Sequence, residues 1–503
     1  MRESDPAAAA PRLPSAGAML ALALVLCLAT RVYFIRAIPR CAEDAYITFR
    51  YALNWAHGLG PVYNAGERTW GFTSPLWTSY LAFAAWAHLP VELAARWTLV
   101  LCDLVALWLG TRLLRRQSLA AAAGFGLFFA LWPRLAQMPA SGLESSLVTC
   151  LLLAVASLGT SRFGGALNGL LALSRPEGAA MSVLMAWPLR ARQRWLWLAV
   201  AALGGLFMLY FGQLLPSSVA SKAAVYGIGW LKGAYWMEWL VPGLPARTDD
   251  GMALAPISVV LLAGLIAIVV RWRRAAPETP ALPLLLGCGV LTLFGYVALG
   301  VPWYFWYAPA PMVAILLACF LGLAGANLLR WLFVPLAAFL LLSWPDAAAR
   351  VVRSQTHDAA VFASLGETLH QDAAGRPASV ILEPIGIIGY TSGLRVIDEV
   401  GLVTPWVARE RRRGDGWYAR VMAQDRPDYI VIRLNWLKGG VAWAGAGAPF
   451  VSSAQSDSVL RGYSPLSRRA GTTLPEGAAR FQILRRIAFG PGSAAARPDS
   501  SRR

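Results

Sequence analysis

Long apolar stretches separated by short, arginine-bearing turns fill the first two thirds of the chain. They run at 16–35, 92–113, 118–136, 145–160, 164–174, 176–190, 195–213, 254–271, 282–300, 305–324 and 326–344. Most approach the length of apolar helix that crosses a bilayer, and together they predict about eleven transmembrane helices. The pair within 163–189 is divided by Arg175-Pro176, because proline cannot continue a helix through its own nitrogen. The stretch 74–87 is too short to cross and predicts an amphipathic helix at the outer interface. The first run follows an Ala/Pro-rich leader containing Arg2 and Arg12. It lacks a clear small-residue cleavage site, so a retained first helix is expected.

Beyond 345 the pattern changes. "ASVILEP" and "PDYIVIRLN" read as strands and "WYARVMAQ" as a helix between them, which predicts a small α/β domain at 346–487. "GIIGYTSG" reads as a tight turn, since its glycines do not match a phosphate-loop spacing. The ends, 1–14 and 488–503, are rich in Ala, Pro, Ser and Arg and predict disorder. The fold class expected is therefore an all-α polytopic membrane domain, 15–345, with a small extracytoplasmic α/β domain behind it. A first outer loop occupies 38–91.

Arginine sets the orientation. Arg112, Arg115 and Arg116, then Arg162, then Arg190, Arg192 and Arg194, then Arg271, Arg273 and Arg274, and finally Arg330 fall in alternate turns. The positive-inside rule makes those turns cytoplasmic. With an odd helix count, the N-terminus lies inside and the C-terminal domain outside. A bacterial inner membrane is the expected location.

Composition agrees. The 503 residues are 57% hydrophobic and 14% charged, with mean hydropathy +0.51 and net charge +18. Of 45 basic residues 42 are arginine, yet no basic stripe sits on a soluble domain, so nucleic acid is not an expected partner. Cys27, Cys102, Cys150, Cys288 and Cys319 lie inside apolar segments and only Cys41 flanks one. This pattern gives neither a disulfide framework nor metal-ligand spacing.

The acids are few and clustered. Glu43 and Asp44 stand side by side just outside the first helix, and Glu67, Glu144 and Glu177 fall on the same outer side. Asp103 sits inside a span, where pairing with an arginine of the bundle is the favoured reading. Glu144 opens a helix, where a carboxylate favours the helix dipole.

These pieces carry a resemblance. Glu43-Asp44-Ala45-Tyr46-Ile47, Asn64-Ala65-Gly66-Glu67-Arg68 and Thr73-Ser74-Pro75-Leu76-Trp77 resemble the first outer loop of the GT-C membrane glycosyltransferases. Within that superfamily they are most similar to the mycobacterial terminal arabinofuranosyltransferase family and its bacterial relatives. "SGLE" at 141–144, "SRPEG" at 174–178, "GQLLPSSVASKA" at 212–223 and the tail's "RVID" and "RPDYIVI" extend the likeness to most of the chain. Relatives usually have Asp where Glu43 stands here.

The resemblance implies sugar transfer from a polyprenyl-phosphate donor to a cell-envelope glycan or lipid acceptor outside, in contact with membrane lipids. Such a reaction needs a base for the acceptor hydroxyl and positive charge for the leaving phosphate. The expected base is Asp44, with Glu43 and Glu144 as further catalytic acids. Lys222, Arg175 and Arg68 are the expected phosphate ligands. Tyr46, Glu67, Trp70, His57, Trp303 and Tyr304 are candidates for lining the substrate. No particular cofactor is called for, and a divalent cation held by Asp44 and Glu144 stays open. A non-catalytic membrane scaffold is the alternative. A transporter fits less well, because the sequence shows no internal repeat and its acids lie at one face.

Overall fold

The computed structural model describes residues 16–226, 263–269, 281–299, 301, 304–324, 328–437, 447–466 and 480–487. The leader 1–14, the tail 488–503, Trp303 and most of the span expected at 254–271 lie outside the described residues.

The first helix, α1 (Ala16–Ala37), leads into α2 (Glu43–Ala56), α3 (Pro75–Trp86), α4 (Val91–Arg115) and α5 (Leu119–Leu131). Among the described residues three helices are long and apolar enough to cross a membrane: Gly17–Ala37, Val91–Arg115 and Ala191–Phe211. Leu119–Leu131, Ser145–Leu158, Gly164–Ser174, Leu282–Ala298 and Pro309–Leu323 are apolar but shorter. Proline shortens several of them. Pro133 ends the run that follows Ser118, and Pro176 starts a new helix, Pro176–Met185, after Arg175 adopts an extended backbone. Helices Gly164–Ser174 and Pro176–Met185 form a hairpin with Arg175 at its tip, and Asn168 donates to the Ser182 carbonyl across it at 2.8 Å.

α3 has 12 residues, about 18 Å at the helical rise, and cannot cross. Phe83 and Trp86 stay exposed on it, in keeping with a helix lying at an apolar interface. The pair expected inside the bundle is present: Arg31 Nε meets Asp103 Oδ2 at 2.9 Å, and both side chains are fully buried.

Two expectations change. A single helix, Leu328–Ala373, runs through position 345, so the division expected there falls inside continuous helix and not in a linker. "GIIGYTSG" is a short helix, Gly386–Ser392, closed by Gly393 at φ 69°, and not a tight turn. Its i, i+3 glycines lie on one helical face, which lets that face approach a neighbour closely.

The sheet contains β1 (Ser379–Leu382), β2 (Arg395–Asp398), β3 (Tyr429–Arg433), β4 (Tyr463–Pro465) and β5 (Phe481–Arg486). Its order is β2-β1-β3-β5-β4. β1 is parallel to β2 and β3, with Ser379 opposite Arg395 and Val380 opposite Tyr429, while β5 runs antiparallel to β3 and β4. β1 is buried along its whole length, as a central parallel strand must be. One side of the sheet packs on Trp417, Tyr418 and Trp436. The other joins a cluster made with Ile47, Tyr51, Trp70 and Phe72 of the outer loop and Val361, Leu365 and Leu369 of the long helix. The α/β domain is thus seated on the outer loop through shared apolar core.

Candidate active site

Asp44 is in the first turn of α2 and its carboxylate Oδ2 lies 3.4 Å from Lys222 Nζ. Lys222 comes from the helix Ser217–Tyr226, and the pair is about a quarter exposed, at 22% for Lys222 and 28% for Asp44. The ammonium also stands over the Tyr304 ring, 5.2 Å from its centre. Burial works against the lysine's charge, but Tyr307, Asp44 and Tyr304 face it and its pKa is raised above the ordinary value.

Glu43 points elsewhere. Adjacent residues on a helix diverge by about 100°, and the Glu43 carboxylate accepts the backbone N–H of Gly386 from the α/β domain. Burial, and then the charge of Asp44, push its carboxyl well above the usual range, with the Gly386 N–H opposing them. A protonated Glu43 can donate to Asp44, so the two neighbouring acids need not both be charged. The like-charge conflict in the sequence is thereby relieved.

Glu144 occupies an N-cap position without making a cap hydrogen bond. Its carboxylate instead accepts from Arg175 Nη1 at 2.7 Å, and Arg175 Nε reaches Glu177. Arg175 and Glu144 are buried, and the Glu177 side chain is nearly so, at 9% exposed. The Arg175 guanidinium lies 4.9 Å from the centre of the Tyr307 ring. The turn at 304–307 therefore touches both ionic groups, Lys222 through Tyr304 and Arg175 through Tyr307. Ser145 donates to the Trp306 carbonyl at 2.6 Å and fixes that turn beside Glu144.

The other candidates lie away from this centre. Glu67 pairs with Arg395 of β2 at 2.6 Å and accepts from Asn64, so it serves the contact with the α/β domain. Arg68 is exposed and stands over Tyr210. Trp70 is buried, stacked on Phe211 with ring centres 5.6 Å apart. Tyr46 donates to Glu92 at 3.0 Å, and His57 is exposed at the end of α2. Asp44 and Glu144, considered above for a divalent cation, are each already matched to a basic side chain. Among the described residues no three His, Cys, Asp or Glu side chains converge. Sequence reasoning grouped Glu177 with the clustered acids without pairing it to Arg175, and it missed Tyr307 and Gly386 as parts of these groups.

This architecture shares its fold with the solved structures of ArnT and of an archaeal oligosaccharyltransferase. The ArnT structure from Cupriavidus metallidurans in its apo state aligns with TM-score 0.61 and 12% identity, covering 94% of this chain and 98% of that one. The same protein bound to undecaprenyl phosphate aligns with TM-score 0.57 and 12% identity, covering 94% of this chain and 99% of that one. The oligosaccharyltransferase of Archaeoglobus fulgidus aligns at 0.51 and 13% identity, over 84% of this chain and 70% of that one. In sequence, the chain is 26% identical to the terminal beta-(1->2)-arabinofuranosyltransferase of Mycobacterium tuberculosis, across 79% of this chain and 83% of the relative. Residues 349–479 match the family described as Domain of unknown function (DUF8728).

Proposed function

We propose that this protein is a membrane glycosyltransferase that moves a sugar from a polyprenyl-phosphate donor to a cell-envelope acceptor on the outer side of a bacterial inner membrane. The observation carrying the reading is the pairing of Asp44 with Lys222 beside the Arg175 group. A carboxylate beside a partly exposed ammonium supports a base next to a phosphate-binding cation.

Arriving donor phosphate competes with Asp44 for Lys222. A compact ammonium on a flexible stem can exchange partners in this way. Its departure frees the Asp44 carboxylate. The acceptor oxygen then attacks the anomeric carbon while its proton passes to Asp44. The bond from that carbon to the phosphate oxygen breaks, its electron pair leaves with the oxygen, and the phosphate gains one negative charge beside Lys222. No proton needs to be donated to the leaving group. Glu43 shapes the field around the base, and Arg175 holds Glu144 and Glu177 in place.

Transfer from a radiolabelled polyprenyl-phosphate sugar tests this. Asp44→Asn is expected to cut turnover on the order of a hundredfold, with binding of undecaprenyl phosphate retained. Normal turnover in Asp44→Asn removes it as the base, and a larger loss in Glu43→Gln transfers the role to Glu43.

A further inference from the structure

Asp44 and Lys222 are separated by 178 positions in the chain, and each side of their contact is bonded to the same third party. On the Asp44 side, α2 reaches the α/β domain at several points. Glu43 accepts from the Gly386 N–H, Arg50 Nη1 donates to the Gly389 carbonyl at 2.6 Å, and Arg50 Nη2 donates to the Leu394 carbonyl at 2.7 Å. Tyr63, in the loop after α2, donates to the Ile385 carbonyl at 2.7 Å. Gly386 and Gly389 make this approach close enough. A Cβ on Gly386 would sit 2.0 Å from the Glu43 carbonyl oxygen, and one on Gly389 would sit 2.1 Å from the Tyr63 hydroxyl.

On the Lys222 side, the helix Ser217–Tyr226 packs against the helix Pro405–Arg412. Ser221 donates to the Gly401 carbonyl at 2.7 Å, and the Ser217 hydroxyl lies between the Leu402 carbonyl at 2.7 Å and the Trp70 carbonyl at 2.8 Å. The Gly401 and Leu402 carbonyls belong to a loop shaped by buried Asp398, which accepts from the N–H groups of Val400, Leu402 and Val403.

The two attachment points follow the ends of β1 and β2, which are hydrogen-bonded neighbours in the sheet. Neighbouring strands keep a spacing of about 4.8 Å, so the sheet is a rigid ruler between the two loops. From this geometry we propose that the α/β domain, the segment matching a family without assigned function, is the template that sets Lys222 against Asp44. The proposal rests on the glycosyltransferase reading above. Ser217, Ser221 and Gly386 are positioning residues in it, acting through Lys222 and Asp44 without touching substrate.

Binding of undecaprenyl phosphate to the full-length protein in detergent tests the template. Ser217→Ala and Ser221→Ala combined are expected to weaken binding on the order of five- to tenfold, since each removes one buried hydrogen bond. In a Lys222→Met background the same pair of changes is expected to have no further effect, because the serines act through the ammonium. An equal further loss in that background makes their role merely structural and overturns the template. Unchanged binding in the serine variant overturns it as well. Should the double variant not fold, Ser221→Ala alone carries the same comparison at a smaller amplitude. Unchanged binding in Lys222→Met itself defeats the phosphate reading on which the proposal stands, and that result is distinguishable from failure of the template alone.

Discussion

Two ion pairs in this molecule have the same charges and opposite characters. Arg31–Asp103 is dry: the guanidinium meets the carboxylate at 2.9 Å, donates to the Ala130 and Phe129 carbonyls, and both side chains are 0% exposed. Lys222–Asp44 is looser at 3.4 Å and remains partly exposed. Arginine's rigid fork is satisfied where it sits, whereas lysine's point charge can be handed to another anion. The inner pair locks α1 to α4, and the outer one can open. The proposed chemistry uses the looser of the two pairs.

Asp103→Leu should break the comparison most visibly. It leaves Arg31 buried with no counter-charge, a loss of about 3–5 kcal/mol, whereas Asp44→Leu should cost under about 1 kcal/mol. Unfolding of the two variants in detergent measures both. Equal losses would show that the pairs are alike.

A third acid sharpens the contrast. Glu399, at 2% exposed, sits beside Tyr418 in the α/β domain, and Arg411 donates to its carbonyl oxygen at 2.7 Å. Burial pushes its carboxyl up to about 8, opposed by Arg433 and reinforced by Glu383. A carboxyl raised in the folded state binds more protons there than in the unfolded chain, so stability is lost as pH rises from the unfolded value towards 8. The neighbouring Asp398, pushed up to about 6 by burial, acts in the same direction. The melting temperature is expected to fall between pH 5 and 8 by the equivalent of about 5 kcal/mol. Glu399→Gln should flatten most of that slope. A slope unchanged by Glu399→Gln assigns the titration elsewhere.

The smallest effect expected is that of Lys222→Arg. A bidentate guanidinium should hold Asp44 more firmly and release it less readily, lowering turnover by about three- to tenfold while the protein remains as stable as before. Faster turnover than wild type would refute the partner exchange.

Much of the fold was legible because it follows from local pattern. Pro176 breaks a helix where the sequence says it must, whereas Pro133 interrupts a run read as continuous to 136, and "SVIL" and "YIVIR" are the strands their apolar runs predict. Asp103 was readable too, because an acid deep in an apolar run requires a cation and Arg31 lies within the facing helix. Glu144 was only half readable. Its place at a helix start was correct, but its partner Arg175 lies across a hairpin tip that no local rule specifies. "GIIG" was misread as a turn because nothing nearby shows that α2 needs a glycine face to approach.

The sequence by itself determined that apolar helices dominate, that a small α/β unit follows, and that the acids gather towards one end. Those properties follow from hydrophobicity, proline geometry and charge, each acting over a few residues. Only the tertiary structure decided that Asp44 faces Lys222 while Glu43 turns to Gly386. Helix phase fixes the angle between Glu43 and Asp44, but the partners waiting there come from residues 178 and 343 positions away. Their arrival depends on how the α/β domain seats on the outer loop, and that is settled by the apolar surface the two share.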